Sequence, residues 1–471
     1  MLFNSYFFLL LFLPVVFFIF HGLVSFGRVN IVLVWLTAAS FFFYSYWNPP
    51  FVLLLSFSVT ANFFLARLMS TKISCARIIL ILGVVMNLSL IVYFKYANFI
   101  IGSFSSIMNR SWINRDIFLP LGISFFTFQQ IAFLVEIYRK EITEPKFLHY
   151  ALFVSFFPQL IAGPIVRYTE IVPSFLDPGF LKKNYGNMVI GIFLFSIGLA
   201  KKVIIADTLS PWVSGVFDGK SELSCLAAWS GVLAYTFQIY FDFSGYSDMA
   251  MGLGKLFNIN IPVNFRSPYK AISITEFWRR WHITLSSFLK DYLYIPMGGN
   301  RNGVFGQYRN LLVTMTLGGL WHGASWTFVF WGAYHGILLL VHKMIIKATA
   351  FLNWKIRVPK PLSWLFTFFS VIVGWVFFRS DSIAHAFSIL SAMAIPECSV
   401  NIGAISTWHF PYLFLCLLVC LFAPSGVEMA KITAEGLWEK GTAKTIFAAC
   451  LFIISVSLIG SKPTEFLYFQ F

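Results

Sequence analysis

Long apolar runs separated by short polar or basic breaks organise this chain from end to end. They fall at about 5–26, 30–47, 51–69, 78–103, 117–138, 148–166, 187–206, 226–241, 309–321, 326–346, 362–378, 408–423 and 444–460. A helix needs ~20 mostly apolar residues to cross the hydrocarbon. The pattern therefore predicts helices throughout and about 11–13 crossings, some of them short or kinked. No internal repeat, low-complexity linker or terminal soluble segment interrupts the series, so residues 1–471 read as one membrane-embedded domain. The first run, "SYFFLLLFLPVVFFIF", lacks a basic leader and a small-residue cleavage site, which marks it as a retained helix.

Three interruptions stand out. "FFPQLIAGPIVRY" (156–168) puts two prolines and a glycine inside an expected span, and "YFDFSGYSDMAMGLG" (240–254) sets Asp242 and Asp248 beside an apolar run. Irregular or ionisable stretches at membrane depth are tolerated only inside protein or against a watery cavity. Both stretches point to an internal chamber, with loop ends near the headgroups as the other reading. The third, "SITEFWRRWHITLSSFLKDYLYIPMGGNR", opens with Ser273 and Glu276 at capping-box spacing. Its apolar positions Ile274, Phe277, Trp278, Trp281, Leu285 and Phe288 make a helical stripe, with Arg279, Arg280, His282, Ser286 and Lys290 opposite. That is too charged to span, and it predicts an amphipathic helix at the interface or folded into the protein.

Composition supports the membrane reading. Hydrophobic residues make up 58% of the chain and charged ones 11%, against about a quarter charged in soluble domains. The net charge of +15 fits basic cytoplasmic loops and does not require nucleic acid. Arg28 follows the first run and Arg67, Lys72 and Arg77 the third, which places the N-terminus outside. A basic cytoplasmic mouth would also attract an anionic substrate. The six cysteines have no metal-binding or disulfide spacing, so neither a metal site nor a disulfide is expected.

The stretch "GGLWHGASWTFVFWGAYHG" (318–336) then places His322 and His335 among aromatic residues and glycines. A histidine near a span is commonly hydrogen-bonded packing. His322 has more against that reading: Gly323 beside it permits close approach, the preceding run carries it toward membrane depth, and no carboxylate lies within ten residues to hold it protonated. A neutral imidazole in a dry site is a general base, suited to an alcohol attacking an activated carbonyl. His282 shares the polar stripe with Arg279 and Ser286, where it could meet an incoming ligand; His335 and His342 suit packing. The chain has no G-x-S-x-G elbow, P-loop, H-E-x-x-H or H-x-x-x-x-D motif. An acyl-transfer enzyme, or a transporter or flippase with histidine proton relays, remains.

With these residues assembled, the chain resembles the membrane-bound O-acyltransferase (MBOAT) family. The resemblance is to its bacterial branch of alginate O-acetylation, peptidoglycan O-acetylation and teichoic acid D-alanylation proteins. It is carried by "YFKYANF", "LPLGISFFTFQ", "FFPQLIAGPIVR", "QIYFDFSGYSDMAMGLG", "ITEFWRRWHITLSSFLKDYLYIPMGGNR" and "GGLWHGASWTFVFWGAYHG", and covers nearly the whole chain. It implies an all-α polytopic fold, a ring of helices around a central funnel or tunnel with interfacial and re-entrant helices. The family's catalytic histidine corresponds to His322 in "LWHGA" and a second important one to His282 in "RRWHITLS".

The resemblance further implies that acetyl-CoA, not permanently bound, docks from the cytoplasm, with Arg279, Trp281 and Ser286 expected to hold it. The acetyl group would pass outward, through a periplasmic O-acetyltransferase partner, to an exported cell-surface polysaccharide. Alginate is favoured by motif spelling, with peptidoglycan and cellulose as alternatives. The location implied is the lipid of a bacterial inner membrane. Residues 466–471 close the chain with "FLYFQF", an F-x-Y-x-x-F pattern of Phe466, Tyr468 and Phe471. In D-alanylation relatives a partner peptide with this pattern accepts the acyl group on tyrosine; here Tyr468 would be a fused acyl carrier, or the tail an aromatic interface anchor.

Overall fold

The computed structural model describes residues 1–109, 116–219, 223–353, 358–395, 409–430, 441–460 and 466–467, and every regular element among them is helical. The helices run α1 (Leu13–Val24), α2 (Val29–Ser45), α3 (Pro50–Thr71), α4 (Ala76–Ile91), α5 (Ala97–Met108), α6 (Ile123–Tyr138), α7 (Phe147–Ser155), α8 (Phe157–Leu160), α9 (Tyr168–Leu176) and α10 (Tyr185–Ala200). They continue with α11 (Asp207–Phe217), α12 (Cys225–Leu256), α13 (Ile274–Arg280), α14 (Ile283–Leu289), α15 (Gly303–His322), α16 (Trp326–Phe351), α17 (Lys360–Arg379), α18 (Ile383–Ala394), α19 (His409–Phe422) and α20 (Gly441–Leu458). Among the described residues five stretches are long and apolar enough to cross a membrane: Pro50–Thr71, Ile73–Met108, Tyr185–Phe217, Trp326–Phe351 and Lys360–Arg379. Six shorter apolar helices among the described residues accompany them. This is an all-α polytopic membrane protein.

Contacts gather the chain into two compact units. The first comprises Met1–Leu199, Tyr246–Val263 and Ala430–Ile459, the second Ala200–Gly245, Asn264–Met429 and Gly460–Phe471.

In the first unit α3 shows how the membrane inverts the usual pattern. Its outward residues are large and apolar, with Leu53, Phe57 and Phe64 all at least 60% exposed. Its inward face carries Ser58 and Asn62, both fully buried. The Ser58 hydroxyl donates to Gln130 Oε1 of α6 at 2.9 Å, and Asn62 and Asn87 of α4 exchange amide hydrogen bonds. Lipid is as apolar as leucine, so polar side chains and close packing join helices there.

The three interruptions fold in different ways. The expected span over 148–166 is broken: α7 stops at Ser155, Phe156 turns the backbone out of helix (ψ 110°), and α8 lasts only four residues. The whole irregular stretch from Phe156 to Val166 is nevertheless buried within the first unit, and the Gln159 amide donates to Phe153 O at 2.8 Å. The stretch around Asp242 and Asp248 is no break at all. Both lie on the uninterrupted 32-residue α12, and both are buried.

The predicted amphipathic helix is two helices. Ser273 caps α13 as expected, accepting from the Glu276 N–H at 3.2 Å while the Glu276 carboxylate accepts from the Ile272 N–H at 2.9 Å. The helix then ends at Arg280; Trp281 is extended and His282 adopts the left-handed conformation, φ 43° and ψ 54°. A single non-glycine residue in that region reverses the local course of the chain, so the 3.6-residue stripe drawn across it has no structural counterpart. Trp281 and His282, placed by that stripe on opposite faces, are both buried.

Candidate active site

All the described candidate residues belong to the second unit. Its α15 and α16 form a hairpin whose closeness depends on glycine. A Cβ on Gly319 would sit 2.8 Å from Gly332 Cα, and one on Gly332 would sit 3.0 Å from Thr316 Cα. A Cβ on Gly323 would run into the Phe328 ring, so that glycine admits a neighbouring side chain of the same hairpin. Ser325 opens α16 by accepting from the Thr327 N–H.

His322 is the last residue of α15. Its ring packs edge-to-face against Trp321 at 5.0 Å, Trp331 at 5.2 Å and Phe378 at 5.2 Å. The residue is only 3% exposed, yet it lines a cavity of about 590 Å³. Trp278, Leu285, Leu311, Met315 and Trp331 supply apolar wall; Thr275, Ser286 and Asn300 supply polar groups; Arg279, Lys290 and Lys343 supply positive charge. Arg279 and Lys290 are exposed whereas Trp331 is buried, so the cavity leads from a basic rim to a buried imidazole. The size suits an organic ligand with an apolar arm.

The expected donor-binding residues divide. Arg279 and Ser286 line this cavity; Trp281 does not, being 1% exposed and packed against Phe265, Phe277 and Trp375. His282 is likewise buried rather than set on a ligand-facing stripe. Its ring centre lies 6.3 Å from that of His322 and 4.7 Å from Phe243.

Asn264 explains the orientation of His282. Its Oδ1 accepts from the Thr284 N–H at 3.3 Å and the Thr284 hydroxyl at 2.9 Å, and lies 3.1 Å from His282 Nδ1. A backbone N–H can only donate, which fixes that atom as the amide oxygen; Nδ1 therefore carries the proton and Nε2 the lone pair. Burial pushes the ring's pKa down to about 3, keeping it neutral. Nothing in the sequence singles out Asn264, which lies 18 residues from its partner.

His335 and His342 are placed as packing requires. His335 is fully buried among Trp278, Trp331 and Tyr334, and His342 Nδ1 lies 2.9 Å from the Thr275 hydroxyl. Among the described residues no group of three metal-ligating side chains comes together. Tyr468 lies outside the described residues; Phe466 and Leu467 just before it are buried.

A sequence model of the membrane-bound O-acyltransferase family matches residues 79–380, which include both histidines. The chain belongs to this family. It is 44% identical over 437 residues to the peptidoglycan O-acetyltransferase of Helicobacter pylori, covering 87% of this chain and 81% of that protein. It is 41% identical over 401 residues to the probable alginate O-acetylase of Pseudomonas aeruginosa, covering 83% and 75%. The teichoic acid D-alanyltransferase of Bacillus subtilis is 27% identical over 276 residues, 56% of this chain and 70% of that one. The protein is thus a multi-pass membrane O-acyltransferase, and the transporter reading gives way to an enzyme.

Proposed function

We propose that the protein takes acetyl from cytoplasmic acetyl-CoA at the His322 cavity and passes it across the bacterial inner membrane for O-acetylation of an exported cell-surface polysaccharide. The observation that carries this reading is the cavity itself, with cations at its open rim and a buried imidazole in its wall. Arg279, Lys290 and Lys343 suit the phosphates of the donor, Trp278 and Leu285 its extended arm, and His322 the thioester end.

In the proposed reaction the Tyr468 hydroxyl attacks the thioester carbonyl and His322 accepts its proton. The carbon–sulfur bond breaks as the oxygen–carbon bond forms, and the thiolate leaves to take up the proton as free CoA. The acetyl-tyrosine then passes its group to a polysaccharide hydroxyl through a periplasmic O-acetyltransferase partner. Positioning can supply ~7–11 kcal/mol of such a barrier, and a general base about 10²–10⁴ in rate. His282, outside the cavity wall, fits a positioning role beside His322 more than contact with the donor.

The motif spelling favours alginate as acceptor, but identities of 44% and 41% do not separate peptidoglycan from alginate relatives. Cellulose is the third candidate.

Purified protein incubated with acetyl-labelled acetyl-CoA tests the reading. It is expected to release free CoA and to carry label on the peptide containing Tyr468. His322→Ala is expected to lower both by about 10²–10⁴, and Tyr468→Phe to remove the label. Undiminished release from folded His322→Ala contradicts the assignment of the base. Loss of ester-linked acetyl from one surface polymer on deletion identifies the acceptor.

A further inference from the structure

Three ionisable side chains, none of which lines the donor cavity, are buried together in the second unit. Lys202, in the π-helical turn Lys201–Ala206 between α10 and α11, is 1% exposed. Its Nζ lies 2.9 Å from Asp207 Oδ1 and 2.6 Å from Asp242 Oδ1 on α12. Two carboxylates share this ammonium where water is scarce, an arrangement that is favourable only with further hydrogen bonds.

The end of the chain supplies two contacts to this cluster. The Leu467 N–H donates to Asp242 Oδ2 at 3.0 Å, and the Phe466 ring lies beneath Lys202 Nζ at 4.5 Å from its centre. Phe466 is 1% exposed and Leu467 8%. Asp242 is therefore divided, with one oxygen on the lysine and the other on the tail backbone. An amide donor to a carboxylate and an aromatic face under an ammonium are each attractive contacts. An aromatic tail settling by hydrophobicity alone needs neither contact.

The geometry points to the Lys202–Asp207–Asp242 cluster as a seat for the C-terminal segment, which positions the residues that follow, Tyr468 among them. The seating stands on these contacts; its use in acyl transfer rests on the relay proposed above. Lys202, Asp207 and Asp242 are positioning residues in this scheme, and none of them lines the donor cavity.

Amide hydrogen exchange of the full chain, read on the peptide containing Leu467, tests the seat. Asp242→Ala and Phe466→Ala are each expected to speed exchange of that peptide at least ten-fold, with α15 and α16 peptides unchanged. Asp242→Asn, which keeps an acceptor oxygen, is expected to restore part of the protection, and His322→Ala to exchange as the unaltered protein does. In the same variants the KM for acetyl-CoA is expected to stay constant while label on the tail falls at least ten-fold. Wild-type exchange at Leu467 in folded Asp242→Ala and Phe466→Ala overturns the seat. If Asp242→Ala exchanges globally, Phe466→Ala, which leaves all three ionisable groups in place, decides by the same criterion. A fast-exchanging tail in these variants, with no label on the unaltered protein's tail, retains the seat and removes the relay.

Discussion

At the scale of single residues, burial and charge separate the roles. Arg279 stands at the exposed rim of the cavity and His322 at its buried part. A contact to donor phosphate present in both ground and transition states affects KM and spares kcat. Arg279→Ala is expected to raise the KM for acetyl-CoA about three- to ten-fold with kcat unchanged. Steady-state kinetics in detergent measures this; a fall in kcat at constant KM would move Arg279 from binding into chemistry. His282 has a different signature. Its folded ring stays neutral down to about pH 3, whereas an unfolded histidine protonates below about 6.5. Between those values the unfolded chain binds the extra proton. Stability is therefore complete above the window and falls as pH drops through it, by at most about 1.4 kcal/mol per pH unit. The thermal midpoint of His282→Gln should change less between pH 7 and pH 5 than that of the unaltered protein. Parallel profiles would show that the ring does not titrate with unfolding.

At the scale of elements, the glycines of the α15–α16 hairpin hold His322 in place. Gly332→Val would push β-branched volume against Met315 and Thr316. An overpacked contact of this kind costs about 1–3 kcal/mol and shifts the end of α15, so both thermal midpoint and activity should fall. Gly22→Ala, where an added Cβ meets nothing within 4 Å, is the control and should leave both unchanged. Equal behaviour of the two variants would refute the close-contact account. Most helices could be read from the apolar runs because lipid makes nearly every span apolar all round. The same uniformity hid the contacts that divide and orient them. The left-handed turn at His282 leaves no mark in a hydrophobic pattern, so α13 and α14 read as one helix. The contact of the Asn264 amide oxygen with His282 and the pairing of Lys202 with Asp242 join residues distant in sequence, and are visible only once folded.

At the scale of the whole molecule, an acyl donor with several negative charges does not cross a bilayer, whereas an acetyl group on a protein hydroxyl can be handed outward. The family assignment supplies the reaction type, and in the proposed reaction the rimmed cavity would hold the donor. Of the two histidines singled out from sequence, His322 lines the cavity and His282 does not. The most direct measurement is an experimental structure of the protein bound to acetyl-CoA or a non-transferable thioether analogue. The account predicts phosphates at Arg279 and Lys290, the arm between Trp278 and Leu285, and the carbonyl within reach of the His322 ring. A donor bound elsewhere, with the His322 cavity empty, would contradict it.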